Sequence, residues 1–155
     1  MCIKKRTLET PIGRIEICAD EAGICALRFH AEKDWDDASV YLDRAQRELE
    51  EYFAGRRRDF SVPLSVKGTP FQLKVWRALK DIPYGATRSY GDIAKTIGNP
   101  KACRAVGMAN NKNPLPLFIP CHRVVDAGGK LTGYAGGLDI KKILLDIEER
   151  NGDHV

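Results

Sequence analysis

The sequence lacks any long apolar run. Nothing in its 155 residues approaches the roughly 20 consecutive apolar residues that a membrane-spanning helix needs, so no membrane partner is expected. The opening Met1-Cys2-Ile3-Lys4-Lys5-Arg6 has no apolar core of the kind that marks a secretory signal; a cytoplasmic protein is expected. Cysteine is sparse and odd in number: Cys2, Cys18, Cys25, Cys103 and Cys121, with no CxxC pair. That argues against a disulfide framework and predicts free thiols. Cys18, Cys25 and His30 match no common zinc spacing, so small residues filling a sheet core is the simpler account, and neither a metal nor another cofactor is expected. Repeats and low-complexity stretches are absent as well.

Charge and apolar content are there in quantity. With 43% hydrophobic and 30% charged residues, the chain has the profile of a folded protein with one core or two small ones. The net charge of +4 is unevenly spread. Residues 1–65 carry 11 Lys/Arg against 13 Asp/Glu, a balance of −2, while residues 66–133 carry 11 against 3, a balance of +8. A basic second half suggests a polyanion docking on one face, although charge alone also describes an ordinary solvated surface.

The first 30 residues read as short strands around Thr7–Glu9, Arg14–Ala19 and Ile24–Phe29, punctuated by Pro11-Ile12-Gly13 and Asp20-Glu21-Ala22-Gly23. From Ala38 to Phe53 the apolar residues Val40, Tyr41, Ala45, Leu49, Tyr52 and Phe53 fall on one helical face, with Gly55 as a stop. Arg56–Arg58 and the extended Phe60–Gly68 stretch look like a linker. Thr69 as N-cap with Pro70 behind it opens a helix carrying Phe71, Leu73, Val75, Trp76 and Leu79 inward, ending near Pro83-Tyr84-Gly85. Ser89 caps a short helix with Ile93, Ala94 and Ile97 on one face, and Asn99-Pro100 opens another, from Lys101 to about Asn110. Two short helices with a glycine-containing turn read as helix-turn-helix. Asp126–Lys130 suits a hairpin turn, and Leu138–Glu149 closes as a helix with Ile140, Ile143, Leu144 and Ile147 on one side. The expected fold class is α+β: a small antiparallel sheet plus helix over 1–66, then a mostly helical domain containing the helix-turn-helix over 67–155.

Cys121 is the candidate nucleophile. A free thiol with a pKa of about 8.5 is only a few per cent ionised at neutral pH, so it needs a base or a positive charge close by. His122 and Arg123 are adjacent in sequence, and contact through one water or across a turn would suffice. Glu148 on the last helix could orient the imidazole. The same residue types would serve a hydrolase with an oxyanion hole, and a cysteine after Leu117-Phe118-Ile119 is also commonly inert core. The residues alone leave these choices open.

The string Pro120-Cys121-His122-Arg123-Val124-Val125 resembles the active-site signature of the O6-alkylguanine-DNA alkyltransferases. The likeness extends through Ser89-Tyr90-Gly91-Asp92-Ile93-Ala94, Gly98-Asn99-Pro100-Lys101-Ala102-Cys103-Arg104-Ala105-Val106-Gly107, Asn113-Pro114 and Gly133-Tyr134-Ala135-Gly136-Gly137-Leu138, in the family's order from about Thr69 to Glu148. The resemblance implies direct reversal of O6-alkylguanine damage in duplex DNA, with O4-alkylthymine as a further substrate, by irreversible transfer of the alkyl group to Cys121. Glu148 would hold His122, which would reach Cys121 through a water. Asn113 would tie the helix-turn-helix to the active-site segment. Tyr90 would crowd the flipped nucleotide's phosphate and meet the base, and Arg104 would fill the gap left in the stack, a role its planar, always-charged guanidinium suits. Tyr134 and Ala135 would line the guanine pocket, with Ala135 where some members carry serine, and the carbonyls of Cys121 and Val124 would accept from the guanine amino group. Lys101 and Ala102 would face the DNA on a recognition helix whose small residues permit close approach to the minor groove, which carries little sequence code. No activated water is implied that could hydrolyse the thioether, so one protein would repair one lesion, as a monomer. Some members hold a structural zinc in the N-terminal domain; the ligand set is not convincingly matched here. Two other readings stand beside this one. Related alkyltransferase-like proteins flip alkylguanine without removing it, but carry tryptophan where Cys121 stands. A DNA-binding regulator would leave Cys121, His122 and Glu148 without a purpose.

Overall fold

The computed structural model describes residues 3–152. It divides into two compact units, Met1–Val66 and Lys67–Val155. In the first, β1 (Lys4–Thr10), β2 (Gly13–Ala19) and β3 (Ile24–Phe29) form an antiparallel sheet in the order β1-β2-β3. Gly13 takes a φ of 91° in the tight β1–β2 turn, a conformation open to glycine at little cost. Helix α1 (Val40–Phe53) follows its N-cap Ser39, whose hydroxyl accepts from the Leu42 N–H. Its Leu42, Ala45, Leu49 and Tyr52 are buried together with the sheet's Ile15, Ile17, Ile24 and Leu27.

The Phe60–Gly68 stretch is less of a linker than its sequence suggests. The Ile24 N–H donates to Pro63 O at 2.9 Å and the Ser65 N–H to Ile24 O at 2.7 Å, so this segment runs along the start of β3. The buried Glu48 carboxylate accepts from the Ser61 and Val62 N–H groups at 2.8 and 3.1 Å. Those backbone donors have no sequence signature.

The second unit opens with α2 (Pro70–Lys80), where Thr69 and Gln72 form a reciprocal capping box. Its Val75, Trp76, Ala78 and Leu79 are buried, while Phe71 and Leu73 are only half-buried. The indole N–H of Trp76 donates to Ala109 O at 2.8 Å, fixing α2 to α4. A two-residue strand β4 (Arg88–Ser89) leads into α3 (Tyr90–Thr96), capped by Ser89 and Asp92. A turn with Gly98 at φ 79° joins α3 to α4 (Cys103–Asn111). The helix begins two residues later than Lys101: the Ala102 N–H donates to Asn99 O, so Pro100 to Ala102 form a turn. Strand β5 (Val124–Val125) pairs in parallel with β4, Arg88 against Val124 and Ser89 against Val125.

Asp126–Lys130 is a tight turn, with the Asp126 carboxylate accepting from the Gly128 and Lys130 N–H groups. It is not a hairpin, because β5 pairs with β4 and no strand follows the turn. The last helix, α5 (Leu138–Asn151), buries Ile140, Lys141, Leu144, Ile147 and Glu148. Ile143, expected inward, is 36% exposed, and Lys141 takes the inward place. No helix among the described residues is long and apolar enough to cross a membrane.

Candidate active site

Asn113 leaves α4 and shapes the loop that delivers Cys121. Its Nδ2 donates to Ile119 O at 2.8 Å and its Oδ1 accepts from the Leu115 N–H at 2.9 Å. It thereby joins two points of the active-site segment itself. Within that loop Leu117 is buried at a φ of 72°, a left-handed conformation that a non-glycine residue adopts only when its surroundings impose it. The Cys121 N–H then donates to Ile119 O at 2.7 Å, and Cys121–Arg123 form a single 3₁₀ turn whose three side chains are all buried.

Two of those side chains converge on Glu148. His122 Nε2 lies 2.5 Å from Glu148 Oε2. Arg123 grips the same carboxylate with Nε on Oε1 at 2.8 Å and Nη2 on Oε2 at 3.1 Å. The Gly85 N–H adds a fourth donor, 3.3 Å from Oε1. Arg123 is anchored in turn by Nη1 on Ile82 O at 2.7 Å and by the Tyr84 ring, 5.7 Å from its guanidinium. His122 and Glu148 are 0% and 1% exposed. Burial alone would raise the Glu148 pKa, but the hydrogen bonds and charges of His122 and Arg123 win and hold it at about 2. Glu148 is therefore a carboxylate that can only accept, so the proton in the His122 contact sits on Nε2. In the neutral ring Nδ1 then carries the lone pair, and Nδ1 is buried with no hydrogen-bond partner. Burial also lowers the His122 pKa, against the pull of Glu148.

Cys121 is 4% exposed. Burial pushes its thiol up to about 11, outweighing the nearby Asn113 amide, Lys141 charge and Tyr134 hydroxyl, which favour the ionised form. The resting group is a thiol, with the Lys141 ammonium near enough to favour its ionised form. Lys141 itself is driven down by burial, and its Nζ donates to Thr132 O at 2.7 Å.

The remaining candidates fall into two sets. Pairing of β4 with β5 brings half-buried Tyr90, the first residue of α3, to the segment that follows Cys121. Its hydroxyl meets Thr132 O and Oγ1, both at 3.2 Å. Val124 is fully buried, Tyr134 half-buried, and Ala135 exposed. The Cys121 carbonyl already accepts from the Val124 N–H and from Asn110 Nδ2 at 3.4 Å, so an amino group arriving there would share it. Arg104, on the first turn of α4, is exposed, as is Lys101, while Ala102 is half-buried. Lys141, Asn110 and Thr132 were not singled out in the sequence for the site. Arg123 was visible beside His122, but nothing in a linear string says that both reach one carboxylate.

A cleft of about 420 Å³ lined by Gly85, Thr87, Val125, Leu131, Lys142 and Glu148 does not include Cys121. Among the described residues no group of three or more His, Cys, Asp and Glu side chains could hold a metal ion. Cys18, Cys25, Cys103 and Cys121 are in no disulfide among the described residues; Cys2 lies outside them. Cys18 is committed to its own sheet, with Arg28 Nη1 3.0 Å from its sulfur.

A buried thiol next in sequence to an imidazole held by a buried carboxylate is the kind of arrangement that cysteine-nucleophile proteins use. Comparison with known proteins narrows it. The profile of the 6-O-methylguanine DNA methyltransferase DNA-binding domain matches residues 70–150, and that of the ribonuclease-like domain of the same proteins matches residues 3–66. The chain is 53% identical over 147 residues to the methylated-DNA–protein-cysteine methyltransferase of Methanosarcina acetivorans, covering 90% of this chain and 94% of that one. It is 51% identical to the constitutive methylated-DNA–protein-cysteine methyltransferase of Bacillus subtilis, covering 92% and 93%. The crystal structure of the Mycobacterium tuberculosis O6-methylguanine methyltransferase superimposes with a TM-score of 0.89 at 41% identity, covering 99% and 97% of the two chains. The OGT protein of that organism in complex with DNA gives 0.87 at 44% identity, covering 96% and 94%. The chain belongs to the 6-O-methylguanine DNA methyltransferase family.

Proposed function

We propose that this protein reverses O6-alkylguanine damage in double-stranded DNA by moving the alkyl group onto Cys121, once per molecule, in the cytoplasm and as a monomer. The observation that carries the reading is the buried Cys121 in one 3₁₀ turn with His122, whose Nε2 is bound to Glu148. The DNA-bound OGT relative, 44% identical, supports duplex DNA as the partner.

The step balances simply. The Cys121 proton passes to His122 Nδ1, the sulfur attacks the alkyl carbon, and the carbon–O6 bond breaks. Its electron pair leaves on O6, and the guanine takes a proton back at N1. His122 is the base, Glu148 its orienting partner, and Asn113 holds the thiol's loop in place. Because the resting thiol is pushed up to about 11 by burial, deprotonation has to coincide with attack. The thioether product has no easy route back, since a thiolate is a poor leaving group from an alkyl carbon.

The base must leave the stack to reach a buried sulfur. Residues 67–155 form the DNA-binding and transfer domain in this reading, with α3 and α4 as its helix-turn-helix and residues 1–66 as a separate N-terminal domain. Arg104 fills the vacated stack, Lys101 and Ala102 lie along the duplex, and Tyr90 turns the nucleotide outward. Val124, Tyr134 and Ala135 bound the purine. With alanine at 135, any hydrogen bond to O6 from that position comes from backbone N–H.

Intact-protein mass spectrometry tests this. Incubation with excess duplex containing O6-methylguanine adds one methyl group, about 14 Da by atomic mass, saturating at one per chain on the Cys121 peptide. Cys121→Ala abolishes the gain while DNA binding persists. An adduct on another residue, or no adduct, rejects the reading; binding without adduct favours a damage-recognition module.

A further inference from the structure

We infer that Arg123 is a positioning residue that sets which nitrogen of His122 carries the proton, and so keeps the buried Nδ1 unprotonated and available as the base. The inference rests on the alkyl-transfer reading above and goes beyond it.

Glu148 receives four donors: His122 Nε2, Arg123 Nε, Arg123 Nη2 and the Gly85 N–H. Each carboxylate oxygen accepts two, which exhausts the usual sites of a buried carboxylate. The arrangement is stable only with Glu148 ionised. A protonated Glu148 would have to donate, and the His122 contact is the one place able to receive. Nε2 would then accept, the ring proton would move to Nδ1, and the base would be lost. Arg123 prevents this in two ways. Its planar fork occupies both oxygens, a geometry no lysine ammonium reproduces, and its permanent charge offsets the carboxylate, so that the imidazole is not drawn into becoming an imidazolium.

The residue is held for this task alone. Arg123 is 5% exposed, too buried to contact a duplex. Its third nitrogen and its face are taken by Ile82 O and the Tyr84 ring, on the loop that also supplies the Gly85 N–H. The groups facing His122 are Glu148 and Lys141 from α5 and Arg123 from its own turn. Glu148 draws a proton to the ring, while Arg123 and Lys141 oppose it. Removing Arg123 leaves Lys141, whose Nζ is committed to Thr132 O, as the only opposing charge among these groups.

The test combines a pH profile with a direct view of the ring. Transfer from free O6-benzylguanine to Cys121 is followed by mass between pH 5 and 9 in the wild type, Arg123→Gln and Arg123→Lys. In the wild type the rate rises with pH through the titration of His122, below its ordinary 6.5. In Arg123→Gln the carboxylate charge falls on His122, its pKa rises, and the acid limb moves up by at least one unit, which lowers the rate about tenfold at pH values on that limb. Arg123→Lys keeps the charge, so its limb stays near the wild-type position even if the rate falls. A folded Arg123→Gln that is slower at every pH with an unmoved limb overturns the proposal, leaving Arg123 a packing residue. Should Arg123→Gln fail to fold, ¹⁵N spectra of wild-type His122 at pH 8 decide. A protonated Nε2 with a bare Nδ1 supports the assignment, and the opposite tautomer overturns it. A wild type that never alkylates Cys121 would sink the transfer reading, while the ¹⁵N result would still stand or fall by itself.

Discussion

Glu148 is where acid should hurt this protein first. Its pKa is held at about 2 against an ordinary 4.5, because the folded state supplies His122 and Arg123 as partners. A depressed carboxylate contributes stability that is present above 4.5 and lost as pH falls toward 2. From the size of that shift the contribution is about 3 kcal/mol. His122 acts in the same direction: its folded pKa is lowered by burial, so the folded state resists the proton that the unfolded chain accepts below about 6.5. Urea midpoints measured from pH 7 to pH 3 should therefore fall in two stages, first below 6.5 and then below 4.5, and Glu148→Gln should flatten the lower stage. Arg104 makes a different prediction. It is exposed on α4, away from the buried network, so Arg104→Ala should slow repair of duplex by roughly the value of one stacking contact, ten- to a hundredfold. Free O6-benzylguanine should react almost as before; equal loss on both substrates would remove Arg104 from the stack.

At the scale of elements, the parts that could be read in the sequence are those with local chemistry. Thr69-Pro70 and Ser89 announce helix starts because capping is decided within four residues, and both sites are full capping boxes. Thr69→Ala should cost about 1 kcal/mol and lower the melting temperature by several degrees, measurable by calorimetry. The three strands were legible from their turns, although β1 begins at Lys4, earlier than its apolar pattern showed. What escaped was set by distant partners. Phe60–Gly68 read as linker because nothing local reveals that Ile24 and Glu48 would take its backbone groups. Lys101 read as the first helical residue because Asn99-Pro100 resembles a start, yet the N–H of Ala102 turns back to Asn99. Periodicity put Ile143 inside α5 and left Lys141 out; the structure exchanges them because Thr132 O offers the ammonium a buried acceptor. The site followed the same division. Cys121, His122 and Glu148 were found by residue type and family resemblance, whereas the Arg123 fork and the Asn110 contact depend on a turn and a helix meeting.

Over the whole molecule, charge is unevenly divided: −2 over residues 1–65, from 11 against 13, and +6 over residues 66–155, from 14 against 8, within which residues 66–133 hold +8, from 11 against 3. If the basic segment neutralises phosphates, affinity for undamaged duplex should fall linearly in log–log form as salt rises. Titrations by fluorescence anisotropy between 50 and 200 mM salt, roughly the range over which such losses reach several orders of magnitude, check this. A flat response would exclude an electrostatic docking face. Lys101→Ala should reduce the slope by about one phosphate contact, while Arg123→Gln should leave the slope alone, being buried.

The two tryptophans are divided in the same way. Trp35 sits in the first unit with Lys5 5.0 Å over its ring, and Trp76 is 3% exposed in the second, its indole tied to Ala109 O on the helix that carries Arg104. Each unit thus carries one tryptophan. With Trp35→Phe the remaining tryptophan emission belongs to the unit holding Cys121, and an unlabelled sample becomes its own optical gauge of how that half of the chain responds to duplex or to a spent sulfur.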